Sequence, residues 1–285
     1  MKFEHTQVMN FEGALRGMRN PLNSWHKSDS IFGICNVIEP SQFEQDTESR
    51  NTGYLTQYSG KPAYITYLSY PYAEYVSIGD EDMKLAQKLI RAGSEHRKFM
   101  RQIFVCVDIT APLYWWKEFD TYKIGTVANS TSTMHKLATT PITIDCFDID
   151  DYDDYQFNDD LLFICNNYQN NQNIKIQLDH KRFKDNLLYH LEALRLTYLR
   201  TKDKRYWKEL IRWLPESWLQ TRTVTLNYEN LLAMCSKGQR RFHKLNEWSG
   251  QDNPALPNFI SWARTLPYAQ ELIFIDEIDK PKKES

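Results

Sequence analysis

Leu187, Leu191, Leu194 and Tyr198 recur at i, i+4, i+7 and i+11, which places them on one face of a helix running from Asp185 to Arg200. Arg205 to Leu214 continues the helical pattern until Pro215 closes it. Thr225 to Ser236 reads as a third helix ahead of the basic segment Lys237-Gly238-Gln239-Arg240-Arg241. Upstream, Ala63 to Tyr70 is rich in β-branched and aromatic residues and stops at Pro71, the pattern of a strand. Asp80-Glu81-Asp82 supplies acidic residues where a helix N-terminus favours them, and Leu85, Leu89 and Ala92 follow at helical spacing until Gly93. The apolar stretch from Phe99 to Trp116 contains Pro112, so it bends or divides there. Turn formers at Asn20-Pro21 and Glu39-Pro40 predict short elements and loops before Gly60.

Between Asp145 and Asp160 lie eight aspartates interrupted by Tyr and Phe, and a second polar cluster runs from Asn166 to Asn171. Both read as surface loops around a short buried segment, Leu161 to Cys165. The acidic run lacks the glycine and the ligand spacing of a helix-loop-helix calcium motif. The histidines show no zinc spacing either, His180 and His190 being ten residues apart, so no metal is expected. No internal repeat or low-complexity linker separates the halves, and residues 1–285 are read as one domain.

Charge and composition narrow the picture. With 35 Lys and Arg against 37 Asp and Glu, the formal charge is −2, which argues against a broad electrostatic footprint for duplex nucleic acid. No apolar run approaches the roughly 20 residues that span a bilayer, and the start of the chain has no apolar segment of the signal-peptide kind, so a cytoplasmic protein is expected. Cys35, Cys106, Cys146, Cys165 and Cys235 are odd in number and mostly set among apolar neighbours, as reduced core thiols are. The 14% aromatic content, with 17 Tyr and 8 Trp, suits stacking on planar rings and equally suits filling a core or a subunit contact. No glycine-rich dinucleotide or phosphate-loop pattern occurs, which disfavours a doubly wound fold and an NTPase.

The informative segment is Leu214-Pro215, nine intervening residues, then Thr225-Leu226-Asn227-Tyr228-Glu229-Asn230-Leu231. It resembles the signature of the flavin-dependent thymidylate synthases, the ThyX family, in which a Leu-Pro pair is followed at this distance by Thr-x-Asn-x-Arg-x-Leu. Every element is kept except the Arg, which is Glu229. Arg240-Arg241 and Leu245-Asn246-Glu247-Trp248 follow in the family's order, with about two extra residues. Upstream, Ala128-Asn129-Ser130-Thr131-Ser132-Thr133-Met134-His135 is similar to the family's Ser-x-Asn-Gln-Gln-Ser-x-Arg-Tyr stretch, with Met134 and His135 in place of Arg and Tyr. The Arg-His-Arg triplet that precedes that stretch falls on Tyr122-Lys123-Ile124, where one basic residue survives. Earlier still, Gly93-Ser94-Glu95-His96-Arg97-Lys98-Phe99 resembles the Glu-His-x-x-Phe that opens the family's first long helix. The resemblance covers residues 93–248.

The resemblance implies an α+β fold, a ThyX-like mixed sheet flanked by long helices, and a homotetramer with active sites between subunits. It also implies transfer of a one-carbon unit from methylene-tetrahydrofolate to C5 of a pyrimidine deoxynucleotide, dUMP or dCMP, with reduced FAD as hydride source. That describes a methyl- or hydroxymethyltransferase of pyrimidine nucleotide metabolism, in which the cofactor carries the difficult step and no cysteine nucleophile is needed. Carried over residue by residue, Ser132 and Glu229 take catalytic positions, and His96, Lys123, Asn129 and Asn227 face the cofactor. Ser130, Ser132, Thr225, Glu229, Arg240 and Arg241 face the nucleotide.

Two alternatives stay open. Lys123 can meet a phosphate as a point charge or simply be solvated, and the Ser/Thr run can bind a phosphate or make a turn. A carboxylate at position 229 disfavours a phosphate and favours an exocyclic amine such as that of cytosine, provided that Thr225 and Glu229 share a helical face. Otherwise Glu229 is an ion-pair partner of Arg240 or Arg241. The loss of the triplet and the Glu229 replacement together suit a nucleotide-binding or structural relative that kept the fold and lost catalysis.

Overall fold

The computed structural model describes residues 1–36, 55–58, 61–69, 71–122, 124–132, 137–149, 162–167, 172–177, 179–236, 238 and 240–278. In chain order its elements are β1 (Lys2–Met9), α1 (Phe11–Arg19), β2 (Ile31–Asn36), β3 (Leu55–Tyr58), β4 (Lys61–Ser69), β5 (Tyr72–Ser77) and α2 (Asp80–Arg91). A 3-10 turn, Arg97–Gln102, leads into β6 (Phe104–Pro112), α3 (Leu113–Phe119) and β7 (Val127–Ser130). Then come β8 (Leu162–Asn167), β9 (Gln172–Gln177), α4 (His180–Thr201), α5 (Lys204–Arg212), β10 (Leu219–Asn227), α6 (Tyr228–Met234) and α7 (Phe259–Arg264), with single helical turns after α6 and α7. The fold is α+β, as expected.

The chain divides into two compact units, one comprising residues 1–110, 115–130 and 221–285, the other 111–114 and 131–220. In the first, a sheet ordered β1-β6-β10-β7 alternates cleanly: Val105, Val107 and Ile109 of β6 and Val224 and Leu226 of β10 are fully buried, while Asp108, Thr110, Thr221 and Thr223 face the other side. Under the buried face lies an aromatic cluster in which Trp115 approaches Trp116, Trp248 and Phe259 to 4.9, 5.6 and 5.9 Å between ring centroids. Much of the aromatic content is therefore core. A second sheet, β2-β5-β4-β3, is antiparallel throughout its described pairings.

In the second unit, Leu137, Ile142, Leu191 and Leu210 form the core, with Leu187 and Leu194 packed against it. The helical stripe read from the sequence is thus the face by which α4 meets α5. Arg195, buried beside this core, pairs with both oxygens of Glu192 and donates to the carbonyl of Ala138 at 3.2 Å, and Glu192 Oε2 also accepts from the Ile142 amide at 2.9 Å. The strands β8 and β9 make an antiparallel pair. The segment read at Leu161 to Cys165 overlaps β8 from Leu162 onward, Asn166 and Asn167 of the cluster read as a loop are strand because they pair with Asn173 and Gln172, and the aspartate run from 150 to 160 and residues 168–171 of that cluster lie outside the described residues.

Two expectations change. Thr225 to Asn227 is strand, the end of β10, and helix starts only at Tyr228. Leu219 to Asn227 alternates between a buried and an open face and pairs with β7, a period-2 pattern that the helical run of α6 obscured. His96 opens a 3-10 turn where a long helix was expected, because Gly93 turns left-handed (φ 103°) and the chain must enter β6 by Phe104. Pro112 does divide its apolar stretch, as the last residue of β6 before α3.

Candidate functional site

The junction of β10 and α6 carries three of the residues singled out above, Thr225, Asn227 and Glu229. Asn227, extended at φ −131°, caps α6: its Oδ1 accepts from the Asn230 amide at 3.0 Å and its own amide donates to Asn230 Oδ1 at 3.1 Å. Tyr228 behind it is fully buried, its amide donating to the Ile103 carbonyl at 3.1 Å and its hydroxyl to the Pro267 carbonyl at 2.6 Å. Pinned from both sides, the first turn of α6 holds Glu229 against the 3-10 turn.

There Glu229 meets two guanidiniums. Arg97 donates through Nε to Oε1 at 3.0 Å, and Arg101 donates through Nε to Oε2 and through Nη2 to Oε1, the latter at 3.4 Å. Partial burial opposes ionisation of this carboxyl, but the hydrogen bonds from Arg101 and Arg97 and their charges outweigh it and hold Glu229 below the usual carboxylate range. The ion-pair reading of Glu229 therefore has partners other than the expected ones. Arg241, with only 5% of its side chain exposed, is engaged by Asp276, Glu277 and the Cys235 carbonyl at 2.6, 2.8 and 3.0 Å. Arg240 lies over the Tyr122 ring at 3.9 Å and donates to the Ala233 carbonyl at 3.2 Å. Thr225 and Glu229 do not share a helical face, since Thr225 is paired in the sheet with Val127. The geometric premise for a cytosine preference is thus gone.

A glycine turn closes the junction. Asn230 Nδ2 donates to the Ile124 carbonyl at 2.7 Å, and Gly125 beside it is left-handed at φ 81°. A Cβ there would sit 3.1 Å from Asn227 Nδ2, so the left-handed backbone favours glycine and a side chain would crowd Asn227. Beyond the turn, Asn129 and Ser130 lie exposed on the edge strand β7, in register with Thr223 and Arg222. Glu229 lies at this junction, in the first unit, and Ser132 belongs to the second unit. Lys123 lies outside the described residues. His96 is exposed and lines a cavity of about 780 Å³ together with Lys27, Lys84, Lys88, Lys98 and Phe99.

On the open face of the β1-β6-β10-β7 sheet, Asp108 accepts from the Thr223 hydroxyl at 2.6 Å and is 2.9 Å from His5 Nδ1. Arg222, on the opposite face, pairs with Asp120 at 3.0 Å and lies over Trp116 at 4.2 Å. Burial pushes the Cys235 thiol far up, as suits an inert core residue. Among the described residues no helix is long and apolar enough to cross a membrane.

Arg97, Arg101, Gly125 and Asn230 were missed as site residues. Arg97 stands inside the quoted Glu-His segment, but only its contact with a residue 132 positions away gives it a role.

No family model matches the sequence, and no curated protein matches it. Solved structures do: the chain has the fold of the flavin-dependent thymidylate synthases. ThyX from Helicobacter pylori complexed with FAD and dUMP superposes over 97% of this chain and 99% of its own, at 14% identity and a TM-score of 0.50. A second structure of that enzyme, also with FAD and dUMP, covers 98% and 100% at 13% identity and a TM-score of 0.50. A UMP/dUMP methylase, PolB from Streptomyces cacaoi, bound with 5-Br dUMP, reaches a TM-score of 0.40 at 13% identity over 87% of this chain and 96% of its own.

Proposed function

We propose that the chain is a divergent member of the ThyX family that binds a pyrimidine mononucleotide and modifies it at C5, with residues 1–285 acting as one functional unit. One observation carries this reading: the ThyX fold extends over nearly the whole of both chains, so the segments that align with the family's signature are not an isolated coincidence.

The donor set fits a flavin nucleotide in altered form. Exposed Asn129 and Ser130 offer hydrogen-bonding side chains at the sheet edge, and Lys123 offers a cation where the family has a triplet. These residues would hold the FAD phosphates, with His96 and Asn227 as further cofactor contacts, and bound flavin would supply the hydride. Ser130, Thr225 and Arg240 would orient the nucleotide, and Arg241, already engaged by two carboxylates, would brace the segment that carries Arg240. Methylene-tetrahydrofolate as the one-carbon donor and a homotetramer as the working assembly belong to the same reading.

The single basic residue in place of the triplet favours a second reading, a nucleotide-binding or structural relative without catalysis. Purified protein separates the two. A yellow preparation that releases FAD on denaturation and converts dUMP or dCMP in the presence of methylene-tetrahydrofolate and a reductant is the expected result. A colourless protein that takes up no FAD and leaves both nucleotides unchanged would select the non-catalytic relative. Light scattering that found only monomer would remove the tetramer.

A further inference from the structure

A single carboxylate needs a single cation, yet Glu229 has two. Arg97, Arg101 and Glu229 together carry a net charge of +1, and adding Lys98 and Glu95, which pair at 3.4 Å, leaves that balance unchanged. The guanidiniums are also under-used. Nε of each, with Nη2 of Arg101, serves Glu229, whereas both Nη atoms of Arg97 and Nη1 of Arg101 have no hydrogen-bond partner among the described residues. Their side chains are 26% and 49% exposed, so these donors reach solvent from a partly desolvated position.

The turn that carries them is stiff. Phe99 and Met100 lie between the two arginines and are buried in the core, at 3% and 0% exposure, which fixes the backbone from which both side chains project. Glu229 then fixes the other ends. Two guanidiniums held in place by a shared carboxylate, with planar N–H groups left over and one positive charge in excess, have the chemistry that recognises a phosphate oxyanion. The carboxylate weakens the attraction of either arginine, but in exchange it removes much of the entropy that binding would otherwise cost.

We propose that Arg97 and Arg101, tethered by Glu229, form a phosphate-binding pair that receives the 5′-phosphate of the nucleotide. The phosphate chemistry stands on this geometry alone, and the choice of a pyrimidine nucleotide rests on the function proposed above. Glu229 is a positioning residue in this arrangement and does not itself contact the base.

Titration calorimetry with dUMP, deoxyuridine and ribose 5-phosphate tests the pair on the full chain. Arg97→Gln and Arg101→Gln are each expected to weaken dUMP and ribose 5-phosphate at least tenfold and to leave deoxyuridine unchanged. Arg101→Lys, which keeps the charge without the fork, is expected to recover part of the loss. Circular dichroism identifies any variant that fails to fold, and Arg101, being half exposed, is the safer of the two positions. If ribose 5-phosphate binds in an arginine-dependent way but dUMP binds no better, the phosphate pair stands and the pyrimidine reading falls. If dUMP binds and neither glutamine variant alters it, or if deoxyuridine weakens equally, the pair is overturned and the pyrimidine reading survives. If neither phosphorylated compound binds the unaltered protein, the pair is overturned outright.

Discussion

Asn227 and Asn230 cap each other across the first turn of α6, each side chain accepting from the other's backbone amide at 3.0–3.1 Å. This reciprocal bond converts a strand into a helix within one residue and sets the direction in which Glu229 leaves the backbone. Removing it by Asn227→Ala is expected to cost about 1 kcal/mol in urea denaturation, with Asn227→Ser recovering most of it. Gly125→Ala is expected to destabilise by about 1–2 kcal/mol, because alanine at a left-handed φ is strained and its Cβ crowds the Asn227 side chain. A wild-type midpoint for either alanine variant would mean that the junction is held by the sheet alone.

Asp82 has no exposed surface, and Arg19, 5% exposed, reaches it at 2.5 Å, while the hydroxyls of Ser28 and Ser30 donate to its other oxygen at 2.6 Å. The group ties α1 and α2 to the segment between α1 and β2. Asp82→Ala is expected to cost about 3–5 kcal/mol, since it leaves a guanidinium buried without its counter-charge. The double replacement Arg19→Met with Asp82→Leu is expected to recover a large part of that. A single variant within about 1 kcal/mol of wild type in chemical denaturation would show that water reaches Arg19 readily.

Acid is expected to destabilise the protein through three glutamates. Hydrogen bonds from Arg264 to Glu277 and from Arg195 to Glu192 hold both carboxyls below the usual range against partial burial, and Glu229 is lowered in the same direction by its two arginines. A carboxyl lowered by folding stabilises the native state above its unfolded value, about 4.3 for glutamate, and that contribution is lost as pH falls through the lower folded value. Melting temperature should therefore drop on acidification below about pH 4.3, and Glu277→Gln should flatten that limb. A melting temperature that rises over the same interval would contradict the assignment of these pairs.

Local pattern made a good part of the fold legible. The helix read at Asp185 to Arg200 lies inside α4, the strand read at Ala63 to Tyr70 overlaps β4, and Asp80 begins α2. Each of these depends on signals within about a dozen residues: a helical stripe, a run of β-branched side chains, acids at a helix start. The site was less legible. Along the chain the next arginines after Glu229 are Arg240 and Arg241, yet its partners lie 132 and 128 positions upstream. Arg241 meanwhile turns to Asp276 and Glu277 near the far end.

The sequence by itself determined the long amphipathic helix and the spaced Leu-Pro and Thr-x-Asn elements, because periodicity and spacing are properties of the chain as written, and the α+β class followed from the family resemblance those elements carry. Only the tertiary structure decided that Thr225 belongs to a strand, since pairing with β7 supplies hydrogen bonds that local helical preference cannot outweigh. It alone decided which arginines face Glu229. Ion pairs form between whatever charges packing brings within a few ångströms, and that distance is set by how β6, β10 and the 3-10 turn assemble, not by any run of neighbouring residues.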